Sequence, residues 1–88
     1  MIFYVYILES KVDSSMYIGQ SQNIEERLKN HNLGNIKSTA TKKPWKLYAY
    51  KIVASRSESV IIEKKIKNLK STVRLKNFLL KNDFNFKQ

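Results

Sequence analysis

Two short tyrosine-bearing segments, Tyr4-Val5-Tyr6 and Tyr17-Ile18-Gly19, stand ahead of Arg27, His31 and Glu63 in a chain of 88 residues with a formal net charge of +10. Together these residue types suggest metal-dependent cleavage of a nucleic-acid phosphodiester. A tyrosine hydroxyl has a reference pKa of about 10 and is a poor base alone, but nearby cations favour its phenolate. Tyr6 or Tyr17 could then take a proton from an attacking water. Arg27 stays charged and presents a fork to two phosphate oxygens, which suits a pentavalent phosphoryl intermediate. His31 can hydrogen-bond phosphate, hold the water or shuttle a proton. Glu63 can hold one Mg²⁺ or Mn²⁺ if waters and a substrate phosphate supply the other ligands.

Each residue also has a plainer reading. Most strand tyrosines are packing residues with a satisfied hydroxyl. A histidine near a helix C-terminus complements the helix dipole. Glu63 and Lys67 can form a helix ion pair worth about 0.3 kcal/mol. On the residues alone both readings stand. Arg27 and His31 lie four apart and share a helix face beside Ile24 and Leu28. Glu63 follows Ile62 at the apolar boundary of a second helix. The other carboxylates, Glu9, Asp13, Glu25, Glu26, Glu58 and Asp83, read as turn, cap or end residues, so no paired-carboxylate, two-metal nuclease is indicated.

Seventeen Lys and Arg against seven Asp and Glu favour a polyanionic partner. Fourteen of the basic residues are lysines, which suit phosphate contact more than the reading of base edges. Lys42, Lys43, Lys67 and Lys70 are the candidates for that contact. There is no cysteine and a single histidine, so thiolate and multi-histidine zinc sites are excluded. The N-terminal apolar run from Ile2 to Leu8 has no basic segment before it and ends at Glu9, unlike a signal peptide. No stretch approaches the roughly 20 apolar residues that cross a bilayer. A soluble cytoplasmic protein of one small domain, residues 1–88, is expected.

The elements that must position these residues follow from the pattern. Ile2 to Leu8 reads as a well-covered strand and Met16 to Gly19 as its hairpin partner. Gly19 ends that strand and permits close approach. Asn23 caps a helix, with Glu26 completing a capping-box pattern. Ile24 and Leu28 form its stripe, Leu33 closes it, and Gly34 terminates it. Residues 35–43 read as an irregular polar loop. Trp45 to Val53 reads as a third strand, covered on both faces because Leu47, Tyr48, Ala49 and Tyr50 break the alternation. Ser55 or Ser57 caps a helix to about Leu69, and Ser71 or Thr72 starts a last one. Phe84 and Phe86 in the tail are expected to pack back. The order β-β-α-β-α-α predicts an α/β (α+β) fold, a three-stranded antiparallel or mixed sheet flanked by helices.

The ordered set resembles the GIY-YIG endonuclease superfamily. It is most similar to the small stand-alone bacterial members, which are themselves similar to the N-terminal catalytic domain of the excision-repair nuclease. Tyr4-Val5-Tyr6 matches the first motif and Tyr17-Ile18-Gly19 the second. Arg27 falls on the family's helix arginine and His31 on its histidine or tyrosine. Glu63, within Glu63-Lys64-Lys65-Ile66-Lys67, falls on its metal-binding glutamate. Tyr4 stands where the family carries its leading glycine, and Asn77 is the nearest counterpart of a late asparagine in larger members. The resemblance implies hydrolysis of DNA or RNA phosphodiesters with one divalent metal and a tyrosine base (Tyr17 in preference to Tyr6); a lone catalytic domain of this kind is expected to cleave weakly or non-specifically, or to need a protein partner for specificity. The runner-up is a nucleic-acid binding module on a nuclease-like scaffold.

Overall fold

The computed structural model describes residues 2–87. Strands β1 (Phe3–Ser10) and β2 (Met16–Ser21) form the expected antiparallel hairpin, with Tyr6 directly opposite Gly19 and Leu8 opposite Tyr17. Ser10 ties the hairpin turn, its hydroxyl accepting from the Val12 amide at 3.1 Å. Helix α1 (Ile24–Leu33) begins at Asn23, whose side chain accepts from the Glu26 amide, and ends at Gly34 with φ 81°. Strand β3 (Trp45–Val53) pairs antiparallel with β1. Ser55 caps α2 (Arg56–Lys67), and Ser71 caps α3 (Thr72–Lys81).

The tail goes further than packing back. Asn85–Phe86 forms a fourth strand, β4, on the free edge of β3, giving a four-stranded sheet in the order β2-β1-β3-β4. The Phe86 ring meets Tyr48 edge-on at 5.7 Å, and Phe84 is buried in the core. Two residues are too few for period-two alternation to register in a sequence. The segment read as an irregular loop also contains a turn of 3-10 helix, Lys37–Lys42.

Each face of the sheet has its own core. Val5, Ile7, Ala49 and Val53 pack with Ile66 of α2 and with Leu75 and Leu79 of α3. Tyr6, Leu8 and Trp45 pack with Ile24 and Leu28 of α1, joined by Tyr17 and Leu47. β1 is therefore covered on both sides, and Val5 to Leu8 are all at most 1% exposed. The broken alternation of β3 has a specific cause. Ile7 pairs with Ala49 but Leu8 pairs with Leu47, so Tyr48 is an extra residue, a β-bulge. Before it, Trp45 and Leu47 face α1. After it, Ala49 and Val53 face α2 and α3.

Among the described residues no helix is long and apolar enough to cross a membrane.

Candidate active site

The α1-facing core holds the candidate residues. On α1 the inward positions are Ile24, Leu28 and His31, spaced i, i+4 and i+7. Leu33, expected to close this stripe, is instead 59% exposed, because two positions past the inward-facing His31 it lies on the opposite side of the helix. A buried histidine occupies the place of an apolar residue, and its position seven residues after Ile24 was the sequence signal for it.

His31 is fully buried and bonded through both ring nitrogens. Nε2 lies 3.1 Å from the Tyr6 hydroxyl, and Nδ1 lies 2.7 Å from Thr39 Oγ1. Thr39 also donates to the Ile36 carbonyl at 3.3 Å. The half-buried Tyr17 ring sits edge-on to His31 at 4.9 Å and is tilted against Tyr6 at 6.5 Å. Three elements thus bring Tyr6, Tyr17 and His31 together.

Gly19 makes this possible. A β-carbon there would lie 2.5 Å from the Tyr6 hydroxyl oxygen and 2.6 Å from its ring carbon Cζ. The phenol of β1 therefore passes across β2 only where β2 has no side chain.

Arg27 completes the group. Burial pushes the Tyr6 hydroxyl above its ordinary pKa, while the Arg27 guanidinium beside it, by hydrogen bond and charge, pulls the other way. Burial, then Arg27, pushes His31 below its ordinary pKa, so the imidazole is held neutral. Arg27 Nε is buried with no hydrogen-bond partner among the described residues.

Glu63 arrives from the opposite layer. Its charge is felt at Tyr6, and its carboxylate, 19% exposed, stands 3.9 Å from Lys67. One turn earlier, buried Ser59 lies 2.7 Å from the Gln20 side chain and pins α2 to β2. Among the described residues no cluster of three metal-ligating side chains exists.

Other expected residues lie apart. Tyr4 is half-buried and edge-on to Tyr50 at 6.2 Å. Asn77 is exposed on α3, on the far side of the sheet from Tyr6. Lys42 is engaged by Asp13 at 3.4 Å and Ser15 at 3.1 Å; hydrogen bonds from Ser15, then Lys42, lower the Asp13 carboxyl to about 2. Lys43 reaches over Gly34. Lys67 and Lys70 line a cavity of about 360 Å³ between β2 and the start of α3.

Two supporting residues were not singled out by the sequence reading. Thr39 lies in the stretch read as irregular. Asn32 accepts from the Trp45 amide at 2.5 Å and donates to its carbonyl at 3.0 Å, locking the end of α1 to the start of β3. Trp45 in turn donates from its indole to the Thr39 carbonyl at 2.9 Å.

With this geometry in view, the comparison with known families is direct. The model of the GIY-YIG catalytic domain matches residues 2–77. The chain belongs to the GIY-YIG family. It is similar to the UPF0213 protein of Staphylococcus haemolyticus, 38% identical over 74 residues, which span 83% of this chain and 89% of that one. A UPF0213 protein of Syntrophus aciditrophicus is 39% identical over 74 residues, 82% of this chain and 84% of its own. Among solved structures, the NMR structure of a UPF0213 protein from Bacillus halodurans matches with a TM-score of 0.58 and 32% identity, covering 93% of this chain and 86% of that one. The mixed fold of antiparallel sheet and flanking helices is thus a GIY-YIG-like fold, and family membership supports a nuclease-like function acting on nucleic acid.

Proposed function

We propose that this protein hydrolyses nucleic-acid phosphodiesters, with DNA as substrate, as one catalytic domain over residues 1–88. The observation that carries the reading is the Arg27 guanidinium set beside the Tyr6 hydroxyl in a GIY-YIG chain. Arg27 binds the scissile phosphate and stabilises the charge that grows on it.

Tyr17, less deeply buried than Tyr6, takes the proton from the attacking water. Tyr6 orients that water, and His31 holds the tyrosine pair in place. Glu63 supplies one hard oxygen ligand, which suits Mg²⁺ or Mn²⁺, since such ions take one or two carboxylates and complete their shell with water and phosphate. An ion held there would supply Lewis-acid polarisation of the phosphate and charge stabilisation for the leaving 3′ oxygen. Lys42, Lys43, Lys67 and Lys70 contact the nucleic-acid backbone, and a protein partner supplies specificity in the cytoplasm.

The test is incubation with branched, single-stranded and duplex DNA, and with RNA, in Mg²⁺ or Mn²⁺ and under chelation, beside Glu63→Ala. Cleavage that needs the metal and is lost in the variant, with the fold intact, is expected. Full activity of Glu63→Ala removes the metal assignment. Salt-sensitive binding without any turnover establishes the binding module instead.

A further inference from the structure

Counting hydrogens along the buried chain Tyr6–His31–Thr39–Ile36 fixes its direction. Thr39 has one hydroxyl hydrogen and two neighbours, His31 Nδ1 at 2.7 Å and the Ile36 carbonyl at 3.3 Å. If the hydrogen goes to Ile36, Nδ1–H must donate to Thr39. Nε2 is then a bare lone pair, and the Tyr6 hydroxyl donates to it across 3.1 Å. Every donor in the chain has an acceptor. If Thr39 instead donates to Nδ1, then Nε2–H donates to Tyr6, and the Tyr6 hydrogen has no acceptor at hydrogen-bonding distance among the described residues. Burying an unpaired hydroxyl at a residue 1% exposed is the costlier arrangement.

We propose that Thr39 is a positioning residue that holds His31 as its Nδ1–H tautomer, so that Tyr6 is the donor in the Tyr6–His31 hydrogen bond. The hydroxyl of Tyr6 then turns only lone pairs toward Arg27 and toward any further donor, such as a water. Thr39 is itself held, its carbonyl by the Trp45 indole and its amide by Ile36 at 3.1 Å. The groups facing His31 are Tyr6 from β1, Tyr17 from β2, Thr39 from the 3-10 turn and Arg27 on its own helix, with the charge of Glu63 on α2 reaching Tyr6. The catalytic relevance of this device rests on the proposed nuclease activity; the tautomer itself does not.

His31 is the single histidine of the chain, so its ring nitrogens give one unambiguous NMR signal set. Long-range ¹H–¹⁵N spectra of the full chain at pH 7.5 should show neutral imidazole with Nδ1 protonated. Thr39→Val should shift the population toward Nε2–H by at least tenfold. Thr39→Ser should restore Nδ1–H. An Nε2–H tautomer or an imidazolium in the wild type overturns the proposal, as does an unshifted tautomer in a folded Thr39→Val. The wild-type spectrum decides even if that variant fails to fold. Should the tautomer be as stated and no nucleic acid be cut, the nuclease reading fails and this one stands.

Discussion

Tyr6 and Gly19 face each other across the β1–β2 ladder, and the phenol of one fills the space that a side chain on the other would need. The glycine of the second tyrosine segment is thus explained by contact with the tyrosine of the first. Gly19→Ala should destabilise the fold by about 1–3 kcal/mol, the usual cost of overpacking a filled core. It should also cut any nuclease activity at least tenfold by moving Tyr6 off His31. Urea unfolding followed by a cleavage assay measures both, and an unchanged midpoint would show that Tyr6 has room to yield.

Arg27 separates chemistry from attraction. Arg27→Ala should lower kcat by about 100-fold, as loss of a charge-stabilising donor does, while the dissociation constant for nucleic acid changes only modestly. The remaining positive charge still recruits the backbone, and that attraction falls steeply with salt. Equal losses in turnover and binding would reduce Arg27 to one more surface cation.

The pH dependence of stability has a defined sign. His31 is held below its ordinary pKa in the folded chain by burial and Arg27. On acidification the unfolded chain takes up its proton first, at about pH 6.5, so stability is full above that value and declines below it. Melting temperatures should fall between pH 7.5 and 5.5, and His31→Gln should flatten that slope. Asp13, with its carboxyl at about 2, stays ionised throughout this window. A wild-type slope unaltered in His31→Gln would assign the effect elsewhere.

Asn32 holds the main chain of Trp45 by two hydrogen bonds, and Trp45 holds Thr39. Asn32→Ala should cost about 1–3 kcal/mol, from the backbone groups left unpaired, and should weaken the near-ultraviolet circular dichroism of the one tryptophan. Intact stability with an unchanged near-ultraviolet signal would show that β3 needs no such clasp.

The hairpin, the three helices and the third strand were legible because each carries a local signal: Asn23, Ser55 and Ser71 at caps, Gly34 at a helix end, alternation in β1. The tyrosines, Arg27 and His31 were legible as a set because their order and spacing survive in one dimension. Long-range facts were not. The Tyr48 bulge shows in sequence only as spoiled alternation, since the partner strand decides which residue is extra. Thr39 meets His31 only after α1 and the 3-10 turn fold over each other. Leu33 looked like a core residue by type, yet the histidine two positions earlier has the inward angle.

The bulge at Tyr48 also constrains how this chain can change length. A one-residue slip exchanges the two faces of a strand. Deleting Tyr48 itself would leave Leu47 opposite Leu8 and Ala49 opposite Ile7, each on its own face, whereas deleting Lys46 would move Trp45, and deleting Lys51 would move Val53, into the wrong core. A one-residue change of length is therefore accommodated at the bulge or beyond the ends of the strand, and not elsewhere within it. Tyr48 acts as a reading-frame marker in space, keeping the layer that holds the tyrosines in phase with the layer that carries Glu63.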